Sequence, residues 1–320
     1  MCIALFSTAH PAYPLILINN RDEYLTRPTA PAHWWETPNR NVLGGRDLLR
    51  KEQGTWLGMT KEGRIAVLTN VREEGNIPLE ARSRGAMVNA FLTQSPDSQD
   101  STEKFIESLV EGEGLSGVGG FSLVVGEVGK PLAVISNRTP NVDGITWIAE
   151  DKGETVGLSN AAFGDRSWPK VVQGERLLAS AIQHNIADNA SRNSLVEDLF
   201  SILNNDTLPK KSSGASWNSY VKELRKSIFI PPIGGEGADH MNDRDLTAAT
   251  SNLPVDKKNE AEKRFPTGGQ SGIYGTQKQT VVIIDHQEKV LFVERTLYDE
   301  CGKAVPTINR DRSFDFFLKQ

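Results

Sequence analysis

Cysteine is scarce in this chain, with Cys2 and Cys301 alone among 320 residues. Two thiols exclude a disulfide framework and point to a reducing compartment. Long apolar runs are missing as well. None exceeds six residues, against the roughly 20 that a membrane-crossing helix needs, so no transmembrane segment is expected. The N-terminus has no basic stretch followed by an apolar one, and no signal peptide is expected. Positive charge is not in excess either: 36 Lys and Arg stand against 41 Asp and Glu, a net charge of -5. Nucleic acid is therefore an unexpected partner. Neither cysteine belongs to a ligand cluster and the five histidines are scattered, so no metal and no cofactor is called for. The glycines between Gly112 and Gly120 lack the lysine and hydroxyl spacing of a phosphate loop.

What is present is short β-like runs and two blocks of helix. Residues 2–7 and 14–19 are near-continuously apolar, which predicts paired strands covered on both faces. Residues 55–60 and 64–70 flank the turn Lys61-Glu62-Gly63, a hairpin signal. Further strands are expected at 121–126 with 131–136, at 145–149 and 155–159, and at 279–285 with 289–294. Helices are expected over 82–94 and 101–111, then from Trp168-Pro169, with proline in the first turn, to about His184. A last helix is expected to start near Ser194, where Ser194-Leu195-Val196-Glu197 fits a capping box. Segregated strands and helices predict an α+β architecture. Residues 234–270, polar and glycine-rich, are expected to be a flexible insertion in one domain spanning 1–320.

The residue after the initiator is Cys2. A small residue there usually lets Met1 be trimmed, leaving one residue with both a thiol and an α-amine. Their ordinary pKa values, about 8.5 and about 8, allow proton exchange near neutrality. That is the chemistry of an N-terminal nucleophile, with the chain's own amine as base. The competing reading is a small apolar residue opening a strand.

Directly after the second apolar run comes Asn19-Asn20-Arg21-Asp22-Glu23. Five polar residues capping a strand read as a solvated turn. Alternatively Asp22 orients the α-ammonium group, Arg21 lowers the thiol pKa, and Asn20 offers amide donors. Asn70 and Asn160 each close an apolar run, as turn formers or as donors of an oxyanion hole. Arg82, Arg84 and Gly85 precede a helix, either as a solvated helix start or as basic groups beside a first turn that can hold an anion. Trp34, Trp35 and Trp56 are either core or pocket walls.

Several ordered motifs then carry a resemblance. Met1-Cys2-Ile3, Asn20-Arg21-Asp22-Glu23 followed by Arg27-Pro28, Gly54-Thr55-Trp56-Leu57-Gly58 and Leu68-Thr69-Asn70 resemble the NRDE family, the transport and Golgi organisation protein 2 family. Gly157-Leu158-Ser159-Asn160, Trp168-Pro169-Lys170, Tyr274-Gly275-Thr276 and Val293-Glu294-Arg295 match it in order. The likeness spans the chain outside 234–270. That family is in turn similar to the cysteine N-terminal nucleophile hydrolases, which implies a four-layer αββα sandwich with two antiparallel sheets.

Carried over by motif, the implied catalytic set is Cys2, Asp22, Asn70 and Asn160, with Asn20, Arg21 and Arg84 expected at the substrate. The resemblance implies cleavage of an amide or thioester. Its alternative is a non-catalytic carrier or chaperone on the same fold. The implied partners are small: an acyl, lipid or haem ligand. The implied location is the cytoplasm, at the periphery of the Golgi or mitochondria, with a link to Golgi and secretory organisation. Two departures stand out. Among those hydrolases, the penicillin V acylases place an arginine three residues before the aspartate, where this chain has Asn19. Their second arginine falls in a region occupied here by Gln277 and Lys278.

Overall fold

The structure, a computed structural model, describes residues 2–71, 82–95, 102–115, 117–210, 220–234 and 272–319. Except for Gly234, the expected insertion at 234–270 lies outside the described residues. Among the described residues, thirteen strands make two antiparallel sheets. The first has the order β10-β1-β2-β11-β12-β13, from β1 (Ile3–Ser7), β2 (Leu15–Tyr24), β10 (Thr155–Leu158), β11 (Tyr274–Ile284), β12 (Lys289–Thr296) and β13 (Asp311–Phe317). The second runs in simple sequence from β3 to β9. Its members are β3 (Thr29–Trp34), β4 (Val42–Asp47), β5 (Leu57–Thr60), β6 (Arg64–Asn70), β7 (Phe121–Glu127), β8 (Leu132–Ser136) and β9 (Thr146–Ile148).

Alternation along each strand separates three apolar layers. Phe6, Leu15, Leu17, Met59, Val67, Val124 and Phe292 fill the space between the sheets. The helices α3 (Pro169–Ala187) and α4 (Arg192–Leu203) cover the first sheet, with Leu178, Ile182, Leu195 and Phe200 on Ile3, Leu5, Ile16, Ile18 and Val281. On the second sheet lie α1 (Arg84–Leu92) and α2 (Thr102–Glu111), with Val88, Phe91 and Ile106 on Leu68, Phe121 and Leu123. Each such side chain contributes about 1.5–3 kcal/mol when fully buried. Layers in the order helix, sheet, sheet, helix are the expected αββα architecture. The central strands are covered on both faces, which is why β1, the first half of β2 and the second half of β11 are near-continuously apolar.

Two expectations are corrected. The second strand does not stop at Asn19 but continues to Tyr24, so Asn19 to Glu23 are strand and not turn. Helix α4 starts at Arg192, capped by the Ser191 hydroxyl accepting from the Ser194 amide at 3.2 Å, rather than from a box at Ser194. The proline-led start of α3 is as expected.

Candidate functional site

The extension of β2 is what builds the site. Because β1 and β2 pair antiparallel with Ile3 opposite Asn20, the residue preceding β1 falls beside Arg21 and Asp22. Cys2 Sγ lies 3.7 Å from the Asp22 carbonyl oxygen. On the other side of Cys2, the chain leaves β10 through Ser159 and Asn160. The Ser159 hydroxyl donates to the Cys2 carbonyl at 2.5 Å, and Asn160 Oδ1 lies 3.3 Å from the same hydroxyl. Asn160 Nδ2 in turn donates to the Asn70 carbonyl at the end of β6. Cys2, Asp22, Asn70 and Asn160, distant in sequence, thus meet at one end of the sandwich. Asn70 Oδ1 is buried without a hydrogen-bond partner.

Asp22 is held from the helix side. Its Oδ1 accepts from the Thr276 hydroxyl at 2.7 Å, and Lys170 Nζ, fully buried at the start of α3, stands 3.9 Å from Oδ2. Burial pulls the Lys170 pKa down, and the charges of Asp22 and Cys2 oppose it. Nothing beyond its place in a motif marked Lys170 in the sequence. A lysine one position after an N1 proline ordinarily reads as a solvated first-turn residue.

The thiol does not follow expectation. Burial raises the Cys2 pKa above its ordinary value, and the terminal ammonium group and Arg21 only partly counter this. Arg21 is itself buried. Its Nη1 donates to Gln277 Oε1 at 2.6 Å, its guanidinium lies 4.1 Å from the Trp56 ring centroid, and Nε and Nη2 have no hydrogen-bond partner. The bulge between Thr276 and Lys278 in β11 frees Gln277 for this contact. Lys278 is occupied elsewhere, 3.2 Å from the buried Glu294.

Asn20 is a correction. Its amide donates to the carbonyls of Leu203 and Ile228 at 2.8 and 2.9 Å. Successive residues of a strand face opposite sides, so Asn20 points to the helix layer and fastens α4 rather than meeting a ligand.

Beside Asn70 opens a cavity of about 210 Å³. Its lining includes Glu23, Arg27, Asp47, Arg50, Trp56, Asn70, Arg82 and Arg84. Arg27 forms a two-pronged pair with Asp47 at 3.2 and 2.7 Å and lies 3.9 Å from Glu23. Arg84 donates to the Gly120 carbonyl at 3.0 Å. Burial, with repulsion from Arg50 and Arg27, pushes its pKa down to about 10. Of the tryptophans, Trp35 is core and Trp56 walls the cavity. Among the described residues no group of three His, Cys, Asp or Glu side chains is placed to hold a metal ion. No helix among them is long and apolar enough to cross a membrane.

Fold and site together define an αββα protein with a cysteine and two asparagines gathered at the strand ends. Residues 1–299 match the model of the family described as Transport and Golgi organisation 2. The chain belongs to that family. It is 27% identical over 341 residues to an uncharacterized protein of Saccharomyces cerevisiae, covering 99% of this chain and 100% of that one. It is 29% identical over 311 residues to the Homo sapiens Transport and Golgi organization protein 2 homolog, covering 94% of each. Among solved structures, the C2A mutant of a conjugated bile acid hydrolase from Clostridium perfringens aligns with a TM-score of 0.42 at 10% identity, covering 98% of this chain and 92% of that one.

Proposed function

We propose that this chain is a cysteine N-terminal nucleophile hydrolase acting on an amide or thioester. The observation that carries the reading is the convergence of Cys2, Asp22, Asn70 and Asn160. After removal of Met1, the free amine of Cys2 takes the thiol proton, and Asp22 orients that amine. The thiolate attacks the carbonyl carbon, and the side-chain amides of Asn70 and Asn160 stabilise the oxyanion. Its collapse breaks the bond to the amine or thiol, which leaves with the proton held by the α-amine. Water then cleaves the acyl-enzyme thioester to release the acid and restore the Cys2 thiol. Asn160 must release the Asn70 carbonyl to serve in this way. One such donor is typically worth about 3 kcal/mol of transition-state stabilisation. The reading includes a cytoplasmic location at organelle surfaces and a role in secretory organisation, in keeping with the family's description.

Intact-mass measurement during exposure to acyl-thioester and amide probes tests it. The expected result is a chain lacking Met1 whose Cys2 gains an acyl group and then loses it, with Cys2→Ala inert. Equal turnover by Cys2→Ala, or a trimmed Cys2 that accepts no acyl group, overturns the proposal.

A further inference from the structure

We infer that Lys170 is a positioning residue for the Cys2 nucleophile, a buried cation that balances Asp22 and fixes where its carboxylate points. Its part in turnover rests on the proposed function; its hold on the reactivity of Cys2 does not.

Lys170 sits where electrostatics alone would not put it. It is the second residue of α3, directly after Pro169, and the first turn of that helix holds no acidic residue. The N-terminal end of a helix repels positive charge. The side chain is also wholly buried, and an ammonium group out of water is costly unless a counter-charge is close. Asp22, equally buried, supplies that charge at 3.9 Å. At this distance the contact is Coulombic rather than a hydrogen bond. The Trp168 ring lies 5.9 Å from Nζ on another side.

The carboxylate of Asp22 is held in one orientation. The Thr276 hydroxyl accepts from the Ile230 amide at 2.8 Å, so its own proton goes to Asp22 Oδ1 at 2.7 Å. Oδ2 is left on the side of Lys170. The backbone of the same residue lies against the nucleophile: its carbonyl oxygen is 3.7 Å from Cys2 Sγ and 3.4 Å from the Tyr274 hydroxyl. A displacement of Asp22 is therefore felt directly at the sulfur.

The charged groups that act on Cys2 come from several elements. Asp22 and Arg21 belong to β2, Lys170 to α3 and Arg84 to α1, and the terminal ammonium group adds to them. Among these Asp22 is the anion, and it opposes ionisation of the thiol. In the proposed reaction the α-amine takes the thiol proton and hands it to the departing group. Without Lys170, the Asp22 charge would keep the sulfur protonated and hold the amine as ammonium. Lys170 offsets both effects, so the proton can pass from thiol to amine and onward.

The test measures the pH dependence of iodoacetamide alkylation at Cys2 in the full chain, read by peptide mass. Exposed Cys301 is the internal reference. Lys170→Met, similar in length and uncharged, is expected to raise the Cys2 midpoint by about one pH unit and leave that of Cys301 in place. Lys170→Arg, which keeps the charge, is expected to hold the midpoint within about 0.3 unit. Asp22→Asn is expected to lower it by about one unit, and Asp22→Asn combined with Lys170→Met to return it close to the unaltered chain. Loosened packing has the opposite sign to loss of the lysine charge, because burial is what raises the thiol. An unmoved or lowered midpoint in folded Lys170→Met therefore overturns the inference. Should Lys170→Met not fold, the doubly substituted chain decides, and a midpoint equal to that of Asp22→Asn overturns it. Acyl-thioester and amide probes separate this role from hydrolysis. The expected midpoint shift without release of any acyl group keeps the role of Lys170 and refutes hydrolysis. Turnover whose pH profile ignores Lys170→Met keeps hydrolysis and refutes the role of Lys170.

Discussion

Replacing Asn20 with alanine separates a structural role from a ligand-binding one. One buried amide group holds two carbonyls, Leu203 at the end of α4 and Ile228 in the segment after it, at 2.8 and 2.9 Å. Truncation takes a donor from both, at about 1–3 kcal/mol for each buried acceptor left short. The same truncation removes Asn20 Oδ1, a buried oxygen without a partner, and so recovers one cost of that kind. The net destabilisation is about 2 kcal/mol. With a urea dependence of about 3 kcal/mol per molar, the upper end for small proteins, the midpoint falls by roughly 0.5–1 M. Equilibrium urea unfolding followed by circular dichroism reads this directly. Affinity for acyl ligands, measured well below the midpoint, is expected to stay within about twofold, because an amide facing α4 touches no ligand. A variant with an unshifted midpoint and lost affinity would refute the assignment and return Asn20 to the binding site.

Two more predictions follow from burial and close packing. Because burial raises the Cys2 thiol pKa, the native chain with Met1 in place should alkylate at Cys2 more slowly than the urea-unfolded chain between pH 7 and 9. A raised thiol pKa favours the protonated native state, so its stabilising share is complete below the ordinary thiol value and disappears as pH climbs through the native one. Faster native alkylation at neutral pH would contradict this. Gly85→Ala forces a Cβ to within 2.9 Å of backbone and should cost about 1–3 kcal/mol. Calorimetric unfolding checks it, and an unchanged melting temperature would show that the helix end can move.

Strands and layers were legible where a strand covered on both faces is apolar. Leu15 to Ile18 and Val281 to Ile284 state their burial outright. The second half of β2 was not. Asn19, Asn20, Arg21 and Asp22 are all buried, yet a polar run after an apolar one reads as a turn by local rules. Their partners are far away in sequence: Leu203 and Ile228 are 183 and 208 residues from Asn20, Gln277 is 256 from Arg21, and Thr276 is 254 from Asp22. No window of sequence contains both halves of such a bond. The same distance hid Lys170, which is intelligible only once α3 lies over Asp22. The cavity was hidden for another reason: its arginines come from three separate segments.

The alternation of β2 also explains why four consecutive polar residues do not form one functional unit. Asn20 and Asp22 share the face that carries Ile16 and Ile18 onto the helices. There one fastens α4 and the other is clamped by Thr276 and Lys170 behind the nucleophile. Arg21 and Glu23 share the face of Leu15 and Leu17, toward the second sheet, where Arg21 stacks on Trp56 and Glu23 walls the cavity. A shift of one residue in the pairing of β2 would exchange the two sets, burying Arg21 against the helices and turning Asp22 away from Lys170. Register is therefore what the apolar half of the strand supplies to the polar half. Ile16 and Ile18 can reach the helices, and Leu15 and Leu17 the opposite sheet, in one phase alone, and that phase puts the Asp22 carbonyl beside the Cys2 sulfur.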